Sequence, residues 1–433
     1  MARAALVAPI AAAILGPQPV SAQSEAIDRA VEEVADTIIE IRHHIHQYPE
    51  LSNREFETAA LVADHLRALG LEVETEVAHT GVVGILRGDR PGPTVAARAD
   101  MDALPVTEET PYPFRSEVRT TYLGQEVGVS HACGHDVHTA ALLGVASVLS
   151  SMREELPGTV VFIFQPAEEG PPPGEEGGAP LMIEEGVLKN PRPEAIFGLH
   201  TNPSLEVGQL GYVVGPIMAS SDHFRIRLHG KQSHGAAPEK SVDPVVMASQ
   251  VVMALQTIRS RNLPPLQPSV ISVGIVRGGE RFNIIPNEVL LEGTVRTYDN
   301  DVRDTIVQRM DEILAGITAA AGGSYELDYQ RGAPPTINDE DLARQAVPSL
   351  QRAVGAENVI EVDPLMVAED FAYFAQIVPG FYFQLGTTKP GTTSGFNHTP
   401  DFMADDSSVP VAIQAMSRVV IDYLEANSPS TGR

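Results

Sequence analysis

The segment His131-Ala132-Cys133-Gly134-His135-Asp136-Val137-His138 puts three imidazoles and the chain's single cysteine within eight residues, just ahead of an apolar stretch with helical spacing. Imidazole nitrogen and thiolate are the ligands that borderline divalent metals favour. The plain alternative is a helix N-terminus capped by Asp136 with histidines on its surface. Two further groups of residues weigh against that alternative. In Phe164-Gln165-Pro166-Ala167-Glu168-Glu169-Gly170, two adjacent carboxylates follow an apolar strand, and strand ends are where α/β sheets present active-site groups. Adjacent side chains there point in different directions. One carboxylate can therefore bind metal while its neighbour takes a proton from metal-activated water. His200 closes an apolar segment at residues 195–199, and His398 lies in Phe396-Asn397-His398-Thr399-Pro400. Cys133, His135, Glu169, His200 and His398 thus make five ligands, enough for two divalent ions if Cys133 bridges them, with Glu168 left as general base. A bridging thiolate suits zinc, cobalt or nickel on softness grounds. Asp100 and Asp102 are expected to orient ligand histidines rather than to bind metal. His43, His44 and His46 sit on or beside an N-terminal helix and are read as structural.

These groups need a scaffold. Apolar spacing predicts helices on either side of Tyr48-Pro49, strands at 82–86, 94–99 and 159–165, and a buried helix at 139–150, which together make an α/β domain. From 222 to 329 the order is strand, helix, two strands, helix, strand, the ferredoxin-like arrangement of a compact sheet with two helices. After Pro334-Pro335 helices return at 339–354 and 370–377, with a strand at 380–385, to complete the first domain. The expected organisation is a catalytic domain in two parts, 23–215 and 332–433, with an inserted α+β domain at 216–331. Pro, Gly and Glu crowd into a loop at 170–178, directly after the carboxylate pair.

With 433 residues, 43% hydrophobic and 20% charged, the chain has material for a sizeable core. Its formal charge of -27 repels nucleic acid and anionic membranes at long range, so neither is expected as a partner. Arg3, the apolar run 4–15, Gly16-Pro17 and Val20-Ser21-Ala22 match a signal peptide over residues 1–22, which implies export to a periplasm or the outside. With one cysteine no internal disulfide can form, and metal ligation is one explanation for an exported chain keeping a lone thiol.

Six motifs in order carry a family resemblance. They are His46-Gln47-Tyr48-Pro49-Glu50-Leu51, Arg98-Ala99-Asp100-Met101-Asp102-Ala103-Leu104-Pro105, the Cys133 cluster, Glu168-Glu169, Ser233-His234-Gly235-Ala236-Ala237-Pro238 and Ala368-Glu369-Asp370-Phe371. Over nearly everything after Ala35 the chain resembles the indole-3-acetyl-amino-acid, hippurate and N-acyl-amino-acid amidohydrolases, relatives of aminoacylase-type metallopeptidases. The resemblance implies a two-metal peptidase-like catalytic domain carrying a ferredoxin-like lid and dimerisation domain. It also implies hydrolysis of the amide of a small N-acyl amino acid, and it adds manganese to the eligible metals. It assigns Cys133, His135, Glu169, His200 and His398 as ligands and Glu168 as base. His234, with Asn283 nearby, would bind substrate and stabilise the oxyanion in the partner subunit of a homodimer. Wider relatives have a His two residues before the first Asp and a bridging Asp, where this chain has Arg98 and Cys133. A dipeptidase, a carboxypeptidase or an N-acetyl-diamino-acid deacylase on the same scaffold is the alternative activity, and a non-catalytic binding protein the remaining one.

Overall fold

The computed structural model describes residues 22–429, so the stretch read as a signal peptide lies, apart from Ala22, outside the described residues. The larger sheet has eight strands in the spatial order Glu72–Val77, Gly81–Arg87, Pro157–Gln165, Arg90–Asp100, Ala195–Glu206, Gly380–Thr388, Leu210–Tyr212 and Val359–Glu361. Its four central strands run parallel. Both faces of these strands are covered, which is why they read as near-continuous apolar runs rather than alternating ones. Along Pro157–Gln165, Val160, Phe162 and Phe164 enter one core and Val161 and Ile163 the other, as the two-residue period of a strand requires. The first core packs against helices Ala22–Gln47, Phe56–Ala68, His135–Ser151, Glu340–Val354 and Ser408–Asn427, the second against Gly178–Glu185 and Phe371–Ala375.

The second sheet has four antiparallel strands in the order Ser269–Arg277, Glu288–Thr297, Asp222–His229, Ser324–Arg331. Phe224, Ile226 and Leu228 point inward, alternating with half-exposed or exposed polar neighbours. They meet Met247, Val251 and Leu255 of one helix and Ile306, Met310 and Leu314 of another, a core separate from the first two. Asp243 and Asp299 cap those helices through their side chains, each satisfying two N–H groups that have no partner within the helix. The ferredoxin-like reading of this segment agrees with the strand order.

Several elements differ from the sequence expectation. The buried helix starts at His135 rather than 139, so the metal-type cluster forms its first turn. The helix expected at 370–377 is only Phe371–Ala375. Helices Gly178–Glu185 and Ser408–Asn427 and the hairpin Arg119–Tyr122/Gln125–Gly128 were not anticipated.

Candidate dinuclear metal centre

Strand ends, one helix start and two loops converge on Cys133. The Cys133 carbonyl accepts from the Thr201 hydroxyl at 2.7 Å and from Asn397 Nδ2 at 3.2 Å, and the His398 N–H donates to the Ala132 carbonyl at 2.7 Å. The cysteine loop is thus tied to the strand that carries His200 and to the loop that carries His398. Gly134 between them has φ +88°, and a Cβ there would stand 2.5 Å from Thr201 Oγ1, so the tight crossing needs glycine. Ala167 and His398 also take left-handed backbone conformations, at φ 53° and 70°. Such strain in non-glycine residues collects at functional loops.

The histidines are held in one tautomer. His135 Nδ1 donates to the Asp102 carbonyl at 2.8 Å, with Asp102 Oδ1 at 3.2 Å, and His200 Nδ1 donates to the Thr201 carbonyl at 2.7 Å. In each ring this leaves the Nε2 lone pair facing inward. His135 Nε2 is buried with no hydrogen-bond partner and lies 3.9 Å from Glu168 Oε2. His200 Nε2 is 3.4 Å from Cys133 Sγ, and His398 Nε2 is 3.0 Å from Glu169 Oε1. Ligand atoms of Cys133, His135 and His200 lie within 4.8 Å of one another, as do those of Cys133, Glu169 and His398. Cys133 belongs to both triples.

Negative charge gathers around this point. Burial, reinforced by Glu369, Glu169 and Asp370, holds the Glu168 carboxyl well above its usual range. Burial and Glu169 push the Cys133 thiol up. Hydrogen bonds to Cys133 and Glu169 raise His398 to about 10, whereas burial and His138 bring His200 down to about 3. An orphaned buried imidazole nitrogen, a thiol and crowded carboxylates make a donor set that divalent cations fit.

Asp102 behaves as the sequence reading expects, since its Oδ2 also accepts from Ser52 Oγ at 2.8 Å and from the Glu169 N–H at 3.0 Å. Asp100 acts one step further away. It accepts from His138 Nδ1 at 2.6 Å, and His138 Nε2 accepts the Thr201 N–H at 2.9 Å. Arg98 lies under the site with no exposed side-chain surface, within 3.0 Å of Asp100, Glu369 and Asp370 carboxylate oxygens. His46 is structural: it is buried and joins Asp136 to Glu108 at 2.9 and 3.0 Å.

A cleft of about 720 Å³ opens over the site, lined by Cys133, Glu168, Glu169, His200 and His398 and, from the base of the second sheet, by Ser221 and Arg296. Arg296 is the only Lys or Arg among the described residues that line it. Half-buried, it sits at the end of an alternating strand, and the sequence reading passed it over because nothing local distinguishes it. His234 and Asn283 do not line the cleft of their own chain. His234 is exposed in Ser233–His234, which pairs with Ile284–Ile285, and the Gly235 N–H donates to the Asn283 carbonyl at 2.8 Å.

Fold and site together define a dinuclear metallohydrolase. Residues 96–422 match the model of peptidase family M20/M25/M40. The chain is 38% identical to an N-acetyl-L-cysteine deacetylase of Bacillus subtilis over 91% of its own length and 89% of the relative's. It is 39% identical to thermostable carboxypeptidase 1 of Saccharolobus solfataricus, covering 92% and 98%. Among solved structures it is similar to the Bacillus subtilis YXEP protein, a dinuclear metal binding peptidase, at 34% identity and TM-score 0.77, covering 91% and 99%. The chain belongs to peptidase family M20/M25/M40 and is a metal-dependent hydrolase of amide bonds, with two divalent ions as its cofactor.

Proposed function

We propose that the chain cleaves N-acyl amino acids to a free acid and an amino acid, with Cys133, His135, Glu169, His200 and His398 holding the two ions and Glu168 as general base. The observation that carries this reading is the pair of ligand triples meeting at Cys133, with Glu168 close enough to His135 and Glu169 to group with them. When bound, the ions lower the pKa of water and polarise the amide carbonyl. The protein's own groups do the rest. Glu168, whose Oε2 lies 3.9 Å from His135 Nε2, accepts the proton of the attacking water and passes it to the departing amine. Arg296, the only Lys or Arg among the described residues lining the cleft, receives the amino acid's carboxylate. Tyr382 donates to Glu369 at 2.7 Å and Arg98 balances Glu369 and Asp370, keeping those acids in place under Glu168.

His234 and Asn283 are assigned to oxyanion stabilisation and substrate binding in a second copy of the chain, as a homodimer. Their position outside their own cleft supports this. We also propose export, on the signal-peptide pattern of residues 1–22, and N-terminal sequencing of secreted protein beginning near Gln23 would test it. The name of the thermostable carboxypeptidase favours a second reading, cleavage of peptides at a C-terminal residue. The deciding experiment strips and restores divalent metal in residues 23–433, then compares N-acyl amino acids with dipeptides, using Glu168→Gln as control. Metal-dependent release from N-acyl amino acids that the variant loses supports the first reading. Preference for dipeptides overturns it in favour of the second.

A further inference from the structure

A second cavity, of about 650 Å³, meets the metal cleft at Glu169 and Gly170. Pro171 lines the metal cleft, while Pro172 and Pro173 line the second cavity, so the loop at 170–178 is the partition between them. That partition is fastened at its far end. Glu175 accepts from Arg54 Nη2 at 2.6 Å and Nη1 at 3.1 Å and from Asn53 Nδ2 at 3.1 Å, and the Glu176 carbonyl accepts from Asn53 Nδ2 at 3.0 Å and His79 Nε2 at 3.1 Å. The opposite wall is the hairpin Arg119–Tyr122/Gln125–Gly128, with Leu123 at its tip.

Apolar side chains make up the larger part of the wall, beside Ser52, Thr120 and Thr121. Leu51, Leu104, Val118, Tyr122, Leu123 and Val129 face the space together with prolines. Three of the charged side chains beside them are committed elsewhere, Arg54 to Glu175, Arg119 to Glu126 at 2.7 Å, and Glu50 to the N–H groups of Glu57 and Thr58 at 3.1 and 2.8 Å, and the fourth, Glu169, stands at the junction with the metal cleft. Leu123 is 67% exposed at φ 50°, a large apolar side chain held toward solvent in a left-handed backbone. A hydrocarbon in the cavity would cover part of that surface.

We propose that this cavity receives the acyl half of the substrate, a hydrocarbon acyl group longer than acetyl, while the amino-acid half lies in the metal cleft toward Arg296. The proposal rests on the N-acyl-amino-acid reading above and names its acyl class. The junction at Glu169 is what joins the two halves. It puts one proposed metal ligand on the wall of both cavities, so an amide held there has one substituent facing each. Each methylene moved from water into an apolar site strengthens binding about fourfold.

The test measures kcat/KM on acetyl, butanoyl, hexanoyl and octanoyl derivatives of one amino acid with the metal-loaded enzyme, for wild type, Leu123→Asp and Leu104→Trp. The wild type is expected to gain about fourfold per methylene over the first additions. The octanoyl-to-acetyl ratio should fall about tenfold in Leu123→Asp, where the hydrocarbon meets a charge, and at least as far in Leu104→Trp, which fills the space. A flat chain-length profile, or variants that keep the wild-type ratio, overturns the proposal while leaving the amidohydrolase reading intact. Failure to release amino acid from any derivative, acetyl included, overturns both.

Discussion

Replacing Asp102 with Asn changes one atom and disturbs two ligands. The carboxylate accepts on Oδ2 from Ser52 Oγ at 2.8 Å and from the Glu169 N–H at 3.0 Å, and Oδ1 lies 3.2 Å from His135 Nδ1. An amide keeps only one oxygen. If that oxygen faces Ser52 and Glu169, the NH2 opposes the Nδ1–H of His135. If it faces His135, the NH2 opposes the Glu169 N–H. Either orientation sets donor against donor in a site with no exposed surface on Asp102. Loss of such a supporting partner costs about 10- to 100-fold in metal affinity, roughly 1.4 to 2.7 kcal/mol. Competition with a chelating dye, on apo protein reloaded with zinc, measures the affinity. The thermal midpoint of the apo form checks that the variant folds. A folded Asp102→Asn protein that binds zinc within about twofold of wild type would refute the claim that this carboxylate fixes His135 and Glu169.

Arg98→Met leaves the buried carboxylates of Asp100, Glu369 and Asp370 without their shared cation, and urea unfolding of the apo protein should show a loss of about 3 to 5 kcal/mol; a loss under about 1 kcal/mol contradicts the pairing. Gly134→Ala forces a side chain into φ +88° and against Thr201 Oγ1, so both stability and zinc affinity should drop, with at least about 1 kcal/mol from the backbone alone by the same unfolding assay. Although burial opposes it, Asp136 and Glu108 raise His46 to about 9 from 6.5. Its contribution to stability is therefore complete below pH 6.5 and disappears as pH climbs through 9, a span of roughly 3 kcal/mol that a His46→Gln variant should lack in unfolding free energies measured at pH 6 and pH 9.5.

The candidate metal centre stands out in the sequence because its chemistry is written in residue types that few other roles require so close together. Three imidazoles and a thiol between 131 and 138, and two carboxylates at a strand end, stand out against any background. The parallel strands were readable from their apolar runs, and the second sheet from its alternation. Other features were hidden for identifiable reasons. Helix Ser408–Asn427 carries Pro410 near its start and is buried over much of its circumference, which blurs its one-sided period. Edge strand Glu72–Val77 is mostly exposed and charged, so its alternation carries little apolar signal. Arg296 becomes a feature of the cleft only through the packing of the second sheet's base over the first domain, a relation between distant segments. His138 and Arg98 likewise gain their meaning from Thr201, Glu369 and Asp370, which are remote in sequence.

The central claim is that two ions share the Cys133 site. Elemental analysis of zinc- or manganese-loaded protein after gel filtration, run on wild type and Cys133→Ala with activity measured on the same samples, tests it most directly. The account predicts two ions per chain in the wild type, fewer than two in the variant, and activity that follows the second ion. One ion per chain at full activity, or a Cys133→Ala protein that keeps two ions and wild-type turnover, would contradict it.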